Sequence, residues 1–320
     1  MSDPPPGPSL AEHRFRSTHQ SADGLNLILP RHSHRNNMSP SLDTFTTPSG
    51  TQTHYLQSGN ANGPLIICMH GLGGSSKTFL PLLPHIPQSY NTVIVDFPGY
   101  GKTPRNTTQT VTIPGLVADL QALVQHIQSS HGTEDDKVII FGHSLGSIVG
   151  LHFAAQFPAK VGGMFLLGAG RSASHIPAVR QRMLDTATKT RTEGIEAVAK
   201  GASIGNFPSD EQRVVPPANR QAVYDEVAAA DPEAYAQTCE AIVGEEHKDP
   251  DYAQIKCPVT FIAGDLDVIS PVERSEGLSK LLGGSARVEV VKGGHQPIID
   301  DIEPVVAAMT KLLEQIAAPM

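Results

Sequence analysis

The sequence predicts an α/β protein with a doubly wound, mostly parallel sheet and a helical insertion. Three observations support this fold class: short apolar runs recur along the chain, amphipathic segments with helical spacing separate them, and one long interval contains no strand pattern. Alternating strands and helices are typical of proteins in which helices cover both faces of a parallel sheet. The length of 320 residues and the 39% of hydrophobic residues are sufficient for a large buried core.

Most of the six predicted strands are near-continuous apolar runs that do not alternate between apolar and polar residues. Such runs fit strands that are buried on both faces, as in a parallel sheet. The runs are PLIICMH at 64–70, NTVIVD at 91–96, KVIIFG at 137–142, VGGMFLL at 161–167, PVTFIA at 258–263 and ARVEVV at 286–291.

Between the strands, apolar residues recur at helical spacing over 113–127 and 302–316. The interval from Leu167 to Pro258 has no good strand pattern, and we predict three helices in it, at 177–200, 218–229 and 232–243. The third has a clear start, because Asp231 fits an N-cap and Pro232 fits the first helical position.

The predicted domains follow from this alternation. Residues 45–170 and 254–320 are expected to form the α/β core, and residues 171–253, here called the helical insertion, are expected to lie over the sheet as a cap. Residues 1–44 are rich in Pro, Ser, His and Asn and have too few apolar residues to offset the entropy of ordering, so we predict a flexible tail.

Charge and cysteine content exclude several classes of function. The chain has 24 Lys and Arg against 32 Asp and Glu, a net charge of −8, so a nucleic-acid partner is not expected. Three cysteines without a pattern argue against a disulfide framework and against a cysteine-rich metal site. No apolar stretch reaches the roughly 18 residues of a membrane span, and the N-terminus lacks the apolar core of a secretory signal. We therefore expect a cytoplasmic protein without a membrane partner.

The most specific motif is GHSLG at 142–146, which directly follows a predicted strand and precedes a helical run. This G-x-S-x-G pattern between a strand and a helix predicts a sharp turn that exposes the hydroxyl of Ser144 as a nucleophile. Amide groups at the start of the following helix favour the negative charge that develops during attack.

A serine hydroxyl is a weak nucleophile and needs a base, which in turn needs an acid to orient it. Behind a G-x-S-x-G turn the acid precedes the histidine in the chain. His295 in GGH at 293–295 fits the base, since it follows a predicted strand. For the acid, Asp267 in the sequence GDLD at 264–267 is favoured, and Asp265 is the alternative.

The sequence HGLGG at 70–74 follows the first strong strand. Its glycines allow backbone amides to approach a bound carbonyl, and we predict an oxyanion hole made by the amides of Leu72 and Leu145. A phosphate-binding loop is disfavoured because the Lys-Ser/Thr of a P-loop is missing. His70 and His143 are predicted to be packing residues. No H-E-x-x-H motif is present, and no metal site is predicted.

Taken together, these motifs resemble those of the α/β-hydrolase superfamily, over about residues 45–318. The set comprises HGLGG, DFPGYGKT at 96–103, GHSLG, GDLDVISP at 264–271 and GGH. Within the superfamily the chain is most similar to the 3-oxoadipate enol-lactonase and serine esterase group, through PEAYA at 232–236 and the run at 254–271. That group commonly carries tryptophans in its cap, and this chain has none.

The resemblance implies a Ser–His–Asp hydrolase of carboxylic esters or lactones with an acyl-enzyme intermediate, a small-molecule substrate and no cofactor. Two alternatives share its motifs: a non-catalytic ligand receptor on the same fold, and a C–C bond hydrolase or peptidase with the same triad. An aspartate nucleophile, as in haloalkane dehalogenases and epoxide hydrolases, is excluded by Ser144.

The start of the helical insertion is basic. Between residues 171 and 191 it carries Arg171, Arg180, Arg182, Lys189 and Arg191 against one acidic residue, Asp185. Either these side chains form a solvated helix face, or they guide an anionic substrate towards the site. Under the second interpretation, Arg171 and Arg180 are the candidate substrate-binding residues.

Overall fold

The computed structural model describes residues 1–3 and 40–318, and its sheet confirms the predicted fold class. In that part of the chain, eight strands form one sheet. They are β1 (Ser41–Thr46), β2 (Gln52–Gly59), β3 (Leu65–Met69), β4 (Asn91–Val95), β5 (Val138–His143), β6 (Val161–Leu167), β7 (Val259–Gly264) and β8 (Ala286–Val291).

The sheet order is β1-β2-β4-β3-β5-β6-β7-β8. β2 pairs antiparallel with β1 and with β4, and every pair from β4 to β8 is parallel. The chain therefore runs from β3 outward to β4 and then crosses back to β5, so that the sheet grows in both directions. In such a sheet the loops that follow the strands meet at the carboxyl edge, where ligands bind.

The described residues also contain helices on both faces of the sheet and above its carboxyl edge. None of them combines the length and the apolar character that a membrane crossing requires. They are α1 (Ile113–His131), α2 (Leu145–Gln156), α3 (Pro177–Glu193), α4 (Ile195–Gly205), α5 (Pro217–Ala228), α6 (Pro232–Ile242), α7 (Val272–Ser279), α8 (Pro297–Asp300) and α9 (Ile302–Ala317).

The apolar strands separate two core layers. On β3, Ile67 and Met69 belong to the layer shared with α1 and α2, whereas Ile66 and Cys68 belong to the layer shared with α9. All five residues of β3 are buried. This double burial is the reason for the near-continuous apolar runs, because successive side chains of a strand point to opposite faces.

All six predicted strands are present within one residue of their expected ends, but two further strands were missed. β1 and β2 lie at the edge of the sheet and carry polar residues, and β1 has no fully buried side chain. The prediction that residues 41–44 belong to the tail was wrong, since they form part of β1. The remainder of the predicted tail, from 4 to 39, lies outside the described residues.

Four helices, α3 to α6, lie between β6 and β7. The expected single helix at 177–200 is divided into α3 and α4 at Gly194, whose φ of 89° is incompatible with a continuous helix. α6 begins as predicted: the Asp231 side chain accepts a hydrogen bond from the amide of Ala234 at 2.9 Å, and Pro232 follows it.

Hydrogen bonds attach the helical insertion to the loops that follow β3 and β4. The Glu226 carboxylate on α5 accepts from the amide and the hydroxyl of Ser75, at 2.9 and 2.8 Å. The Asp231 amide donates to the carbonyl of Gly99 at 2.8 Å, and the Tyr100 hydroxyl donates to Thr238 on α6 at 3.0 Å. The insertion is thereby fixed above the carboxyl edge of the sheet.

We predict that Asp231→Ala lowers the free energy of unfolding by about 1 kcal/mol, the usual cost of losing an N-cap. Asp231 also accepts from Nε of Arg105 at 3.0 Å, so the same variant removes a link to the core. Urea unfolding followed by circular dichroism measures the change. The control is Glu193→Ala, since the Glu193 side chain is 61% exposed and its loss should alter the free energy by less than about 0.5 kcal/mol. Equal effects of the two variants would contradict the prediction.

Candidate active site

Ser144 occupies the turn between β5 and α2. Its φ of 48° and ψ of −107° lie in a region that L-residues rarely adopt, and it is the one non-glycine residue with positive φ among those that the structure describes. Its amide donates to the carbonyl of Leu167 at 2.9 Å, and its carbonyl accepts from Ser147, which fixes the turn in place. A conformation of this kind costs about 1–3 kcal/mol and persists only where the surroundings enforce it.

The two glycines of the G-x-S-x-G motif are required by close packing around this turn. A Cβ atom at Gly146 would overlap the carbonyl oxygen of Met69 on β3, and one at Gly142 would lie 2.6 Å from the carbonyl oxygen of Gly146. Only glycine lets α2 start this close to β3, and the close approach directs the Ser144 side chain into the cavity.

His295 and Asp267 are joined by a short hydrogen bond at the carboxyl edge of the sheet. Nδ1–H of His295 donates to Oδ2 of Asp267 at 2.7 Å, and both side chains are buried. The second oxygen of Asp267 accepts from the amides of Ile269 and Ser270, each at 2.8 Å. Burial raises the pKa of Asp267, but the facing His295 and these hydrogen bonds outweigh it and lower the pKa below the usual range. The carboxylate is therefore ionised and orients the ring, so that Nε2 is left to accept a proton.

Asp265, the alternative acid, makes different contacts. Its two oxygens accept hydrogen bonds from Nη1 and Nη2 of Arg213, both at 2.7 Å. Oδ1 also accepts a hydrogen bond from the amide of Gly293 at 2.9 Å. It therefore links the helical insertion to the loop before His295 and does not contact the imidazole.

Ser144 and His295 line one cavity of about 460 Å³ beneath the helical insertion. Within the residues described, no hydrogen bond joins the Ser144 hydroxyl to His295. Serine–histidine contacts are often long in unliganded sites and tighten when substrate binds. The arrangement thus places a strained serine and an oriented imidazole on the wall of one partly enclosed cavity.

Leu72 and Leu145, whose amides are the predicted oxyanion donors, line the same cavity. Neither amide donates a hydrogen bond to another residue of the described ranges, so both are available to an oxygen atom of a ligand. His70 shapes the loop that carries Leu72: its Nδ1–H donates to the carbonyl of Gly71 at 2.7 Å, and its Nε2 accepts from the amide of Phe97 at 3.0 Å. Burial lowers the pKa of His70, which keeps the ring neutral for these contacts.

His143 supports the loop of the facing histidine. Its Nε2–H donates to the carbonyl of His295 at 2.7 Å, and the two rings lie 5.1 Å apart. Burial, followed by the neighbouring charge of His295, lowers the pKa of His143 to about 3. His143 is thus neutral near pH 7 and holds the backbone of His295 in position.

The two candidate substrate-binding arginines differ in position. Arg171 lines the cavity, but its guanidinium is paired with Asp249 and lies over the ring of Tyr252. Arg180 is exposed on α3 and is not among the residues that line the cavity, so its position does not support the predicted contact with substrate. Arg274, which was not predicted from the sequence, does line the cavity and follows the GDLDVISP motif within α7.

Asn206 and Gln296 were also missed, and no motif marks them. The carbonyl of Asn206 accepts from the amide of His295 at 2.7 Å, and its side-chain oxygen accepts from Gln296 at 2.8 Å. Together with Leu72 and His143, these two residues line a second cavity of about 390 Å³ as well as the first. They therefore form the wall between two spaces on either side of the Leu72 loop.

Comparisons with known proteins agree with this fold. The sequence model of a family described as "alpha/beta hydrolase fold" matches residues 64–302. A curated relative from Escherichia coli (strain K12), named "Putative carbamate hydrolase RutD", is 28% identical over 250 residues, which cover 76% of this chain and 88% of the relative.

Among solved structures, a malate-bound thermophilic esterase from Thermogutta terrifontis superposes with a TM-score of 0.74 at 20% identity, over 87% of this chain and 100% of that one. The enol-lactonase from Burkholderia xenovorans LB400 superposes with a TM-score of 0.72 at 22% identity, over 85% of this chain and 100% of that one. The family predicted from the sequence motifs is thus confirmed.

The strain at Ser144 leads to a stability prediction. The free energy of unfolding of Ser144→Gly should be about 1 kcal/mol higher than that of Ser144→Ala, because glycine relieves the strained φ and alanine does not. Urea unfolding of the two variants measures the difference. The same pair of substitutions at Gln125, which is exposed within α1, is the matched control. There the free energy of unfolding of the glycine variant should be about 1 kcal/mol lower than that of the alanine variant. The same sign at both sites would show that Ser144 is unstrained.

Proposed function

The chain belongs to the α/β-hydrolase family and is a hydrolytic enzyme, and on that premise we propose that it cleaves carboxylic esters or lactones with Ser144 as nucleophile, His295 as base and Asp267 as orienting acid. One observation carries the proposal: His295, whose ring is held by a 2.7 Å hydrogen bond to Asp267, lines the same cavity as the strained Ser144. A carboxylate that fixes the tautomer of an imidazole next to a serine is the arrangement required for acyl transfer.

In the first half of the reaction, Ser144 Oγ attacks the carbonyl carbon while Nε2 of His295 takes the hydroxyl proton. Asp267 stabilises the imidazolium that forms. The amides of Leu72 and Leu145 donate to the developing oxyanion, and each such donor is typically worth about 10²–10³ in rate. His295 then gives its proton to the departing alcohol oxygen, and the acyl group remains bonded to Ser144.

In the second half, a water molecule loses a proton to His295 and attacks the acyl-enzyme. The tetrahedral intermediate collapses, Ser144 regains its proton, and a carboxylic acid leaves. With a lactone the alcohol stays attached to the acyl chain, so the product is a single hydroxy acid. We further propose that the helical insertion acts as the cap of this site, an assignment supported by its contacts with Ser75 and Gly99.

Other carbonyl substrates are compatible with the same residues. The name of the curated relative adds carbamates, and the alternatives of a C–C bond hydrolase or a peptidase use the same triad. A panel of esters, lactones, carbamates, diketones and proline amides separates these reactions. A burst of one equivalent of 4-nitrophenol without further turnover would favour the receptor alternative. A cytoplasmic location stays a prediction; the unpaired thiols of Cys68, Cys239 and Cys257 are in keeping with it.

We predict that Ser144→Ala lowers ester turnover on the order of 10³-fold or more, since no other group replaces the nucleophile. In the wild type, a fluorophosphonate probe should label Ser144, identified by mass spectrometry of the peptides. The melting temperature of the variant should remain near that of the wild type, because alanine retains the turn. Ser130→Ala, on the exposed end of α1, is the control and should keep full activity. Labelling at another residue would contradict the proposal.

We predict that Asp267→Asn lowers kcat about 10³–10⁴-fold, because an amide no longer holds the imidazole in the productive tautomer. Asp265→Asn should lower kcat less than about tenfold, since Asp265 contacts Arg213 and Gly293 and not the imidazole. Both variants are measured with the same ester under saturating conditions. The opposite order would assign the acid to Asp265.

A further inference from the structure

The cavity that contains Ser144 has a charge opposite to that of the whole chain. Four basic side chains line it, and no acidic side chain is among its lining residues in the described ranges. The chain as a whole has a net charge of −8. A positive, partly enclosed space within an acidic protein attracts anions and concentrates them at the site. The four side chains are those of Arg171, Arg182, Lys189 and Arg274.

Two of the four already have acidic partners. Arg171 is paired through two nitrogens with Asp249, which itself is held by the amide of Ser172 at 3.0 Å. Lys189 lies 3.9 Å from Glu193, one helical turn away on α3. Asp249 thus neutralises the charge of Arg171, and the positive charge available to a ligand belongs mainly to Arg182 and Arg274.

Arg274 is half-buried and held by neutral groups. Its Nη1 donates hydrogen bonds to the carbonyl of Ile269 at 2.8 Å and to the hydroxyl of Ser270 at 3.2 Å. Within the described residues, no carboxylate lies within 4.0 Å of its nitrogens. Burial lowers the pKa of Arg274, and the positive charges of Arg182 and Arg171 lower it further, although Asp267 opposes them. A guanidinium surrounded in this way gains stability when an anion enters the cavity.

Arg182 approaches the same space from the helical insertion. It lies on α3, lines the cavity and, like Arg274, has no ion pair with any residue of the described ranges. Arg274 belongs to α7 of the core, so the two arginines come from different elements, and the charge of Arg182 acts on Arg274. Arginine presents a planar fork of donors that matches a carboxylate, and two arginines can hold both of its oxygens.

We propose that Arg182 and Arg274 bind a carboxylate of the substrate that is not cleaved, so that the natural substrate is an ester or lactone with a free acid group. This inference rests on the proposed function for the position of the reacting carbonyl, which must reach Ser144 while the acid group reaches the arginines. Both groups fit within the 460 Å³ of the cavity. Remote binding of this kind positions the carbonyl and raises kcat/KM.

The test uses two substrates that differ only in charge. Mono-4-nitrophenyl adipate carries a terminal carboxylate, and 4-nitrophenyl 6-methylheptanoate has two methyl groups in place of the carboxylate oxygens. Hydrolysis of either consumes one water and releases 4-nitrophenol, which is read by absorbance. For the wild type we expect kcat/KM to be at least about tenfold higher for the adipate ester at low salt. That preference should decrease at 0.5 M NaCl, because salt screens the attraction.

The matched variants are Arg182→Gln, Arg274→Gln and, as control, Arg180→Gln. Arg180 lies two residues from Arg182 on α3; both residues are exposed, but only Arg182 lines the cavity. We expect each of the first two variants to lower the ratio of the two kcat/KM values about tenfold, equal to about 1.4 kcal/mol. Arg180→Gln should leave the ratio unchanged. Because both kcat/KM values are measured on the same variant, their ratio cancels any general effect of the Arg274 substitution on the loop of Asp267.

The outcomes separate this inference from the proposed function. If the wild type hydrolyses the neutral ester without preferring the adipate ester, the anion subsite is refuted while the proposed function stands. If neither ester is hydrolysed, the proposed function fails, and calorimetric titration of Ser144→Ala with adipate decides the subsite. Binding that weakens at least tenfold in Ser144→Ala/Arg274→Gln supports the subsite, and absence of binding overturns it.

Discussion

The backbone of Ser144 has dihedral angles that its surroundings must enforce, and the geometry of the site depends on that enforcement. The turn is confined by the amide contact with Leu167 and by the close approach of α2 to β3 at Gly146. Neither contact would exist without the parallel pairing of β3, β5 and β6, which sets these chains side by side. The central strands therefore act as the rigid support that holds a high-energy turn. The loop after β7 brings Asp267 to the same edge of the sheet, and the loop after β8 brings His295 there.

Much of this arrangement could be predicted from the sequence because it has local signals. Strands buried on both faces must be apolar throughout, so β3, β4 and β5 are visible as continuous runs. The G-x-S-x-G motif is visible because its residues are adjacent in the chain, although Gly146 is required by a contact with Met69 on β3. The preference for Asp267 over Asp265 agrees with the hydrogen bond to His295, although the two aspartates stand only two residues apart.

Other features depend on contacts that a single sequence does not display. β1 is an edge strand that pairs only with β2, and β2 pairs with β4; the polar side chains of both strands resemble those of a loop. The sequence also showed a basic segment but not which side chains face inward. Arg180 and Arg182 belong to the same basic segment, so the sequence does not distinguish them. Their different positions around the axis of α3 place Arg182 at the cavity wall and Arg180 outside the cavity. Arg274 was missed because it is remote from that segment in the chain.

The position of α5 is linked to the loop that carries Leu72. Glu226 on α5 holds both the amide and the hydroxyl of Ser75, three residues beyond Leu72 on the same loop. A shift of α5 large enough to admit a bulky molecule would pull on this loop and misalign the Leu72 amide. If Leu72 supplies an oxyanion donor, as proposed, the position of the helical insertion and the alignment of that donor are therefore coupled.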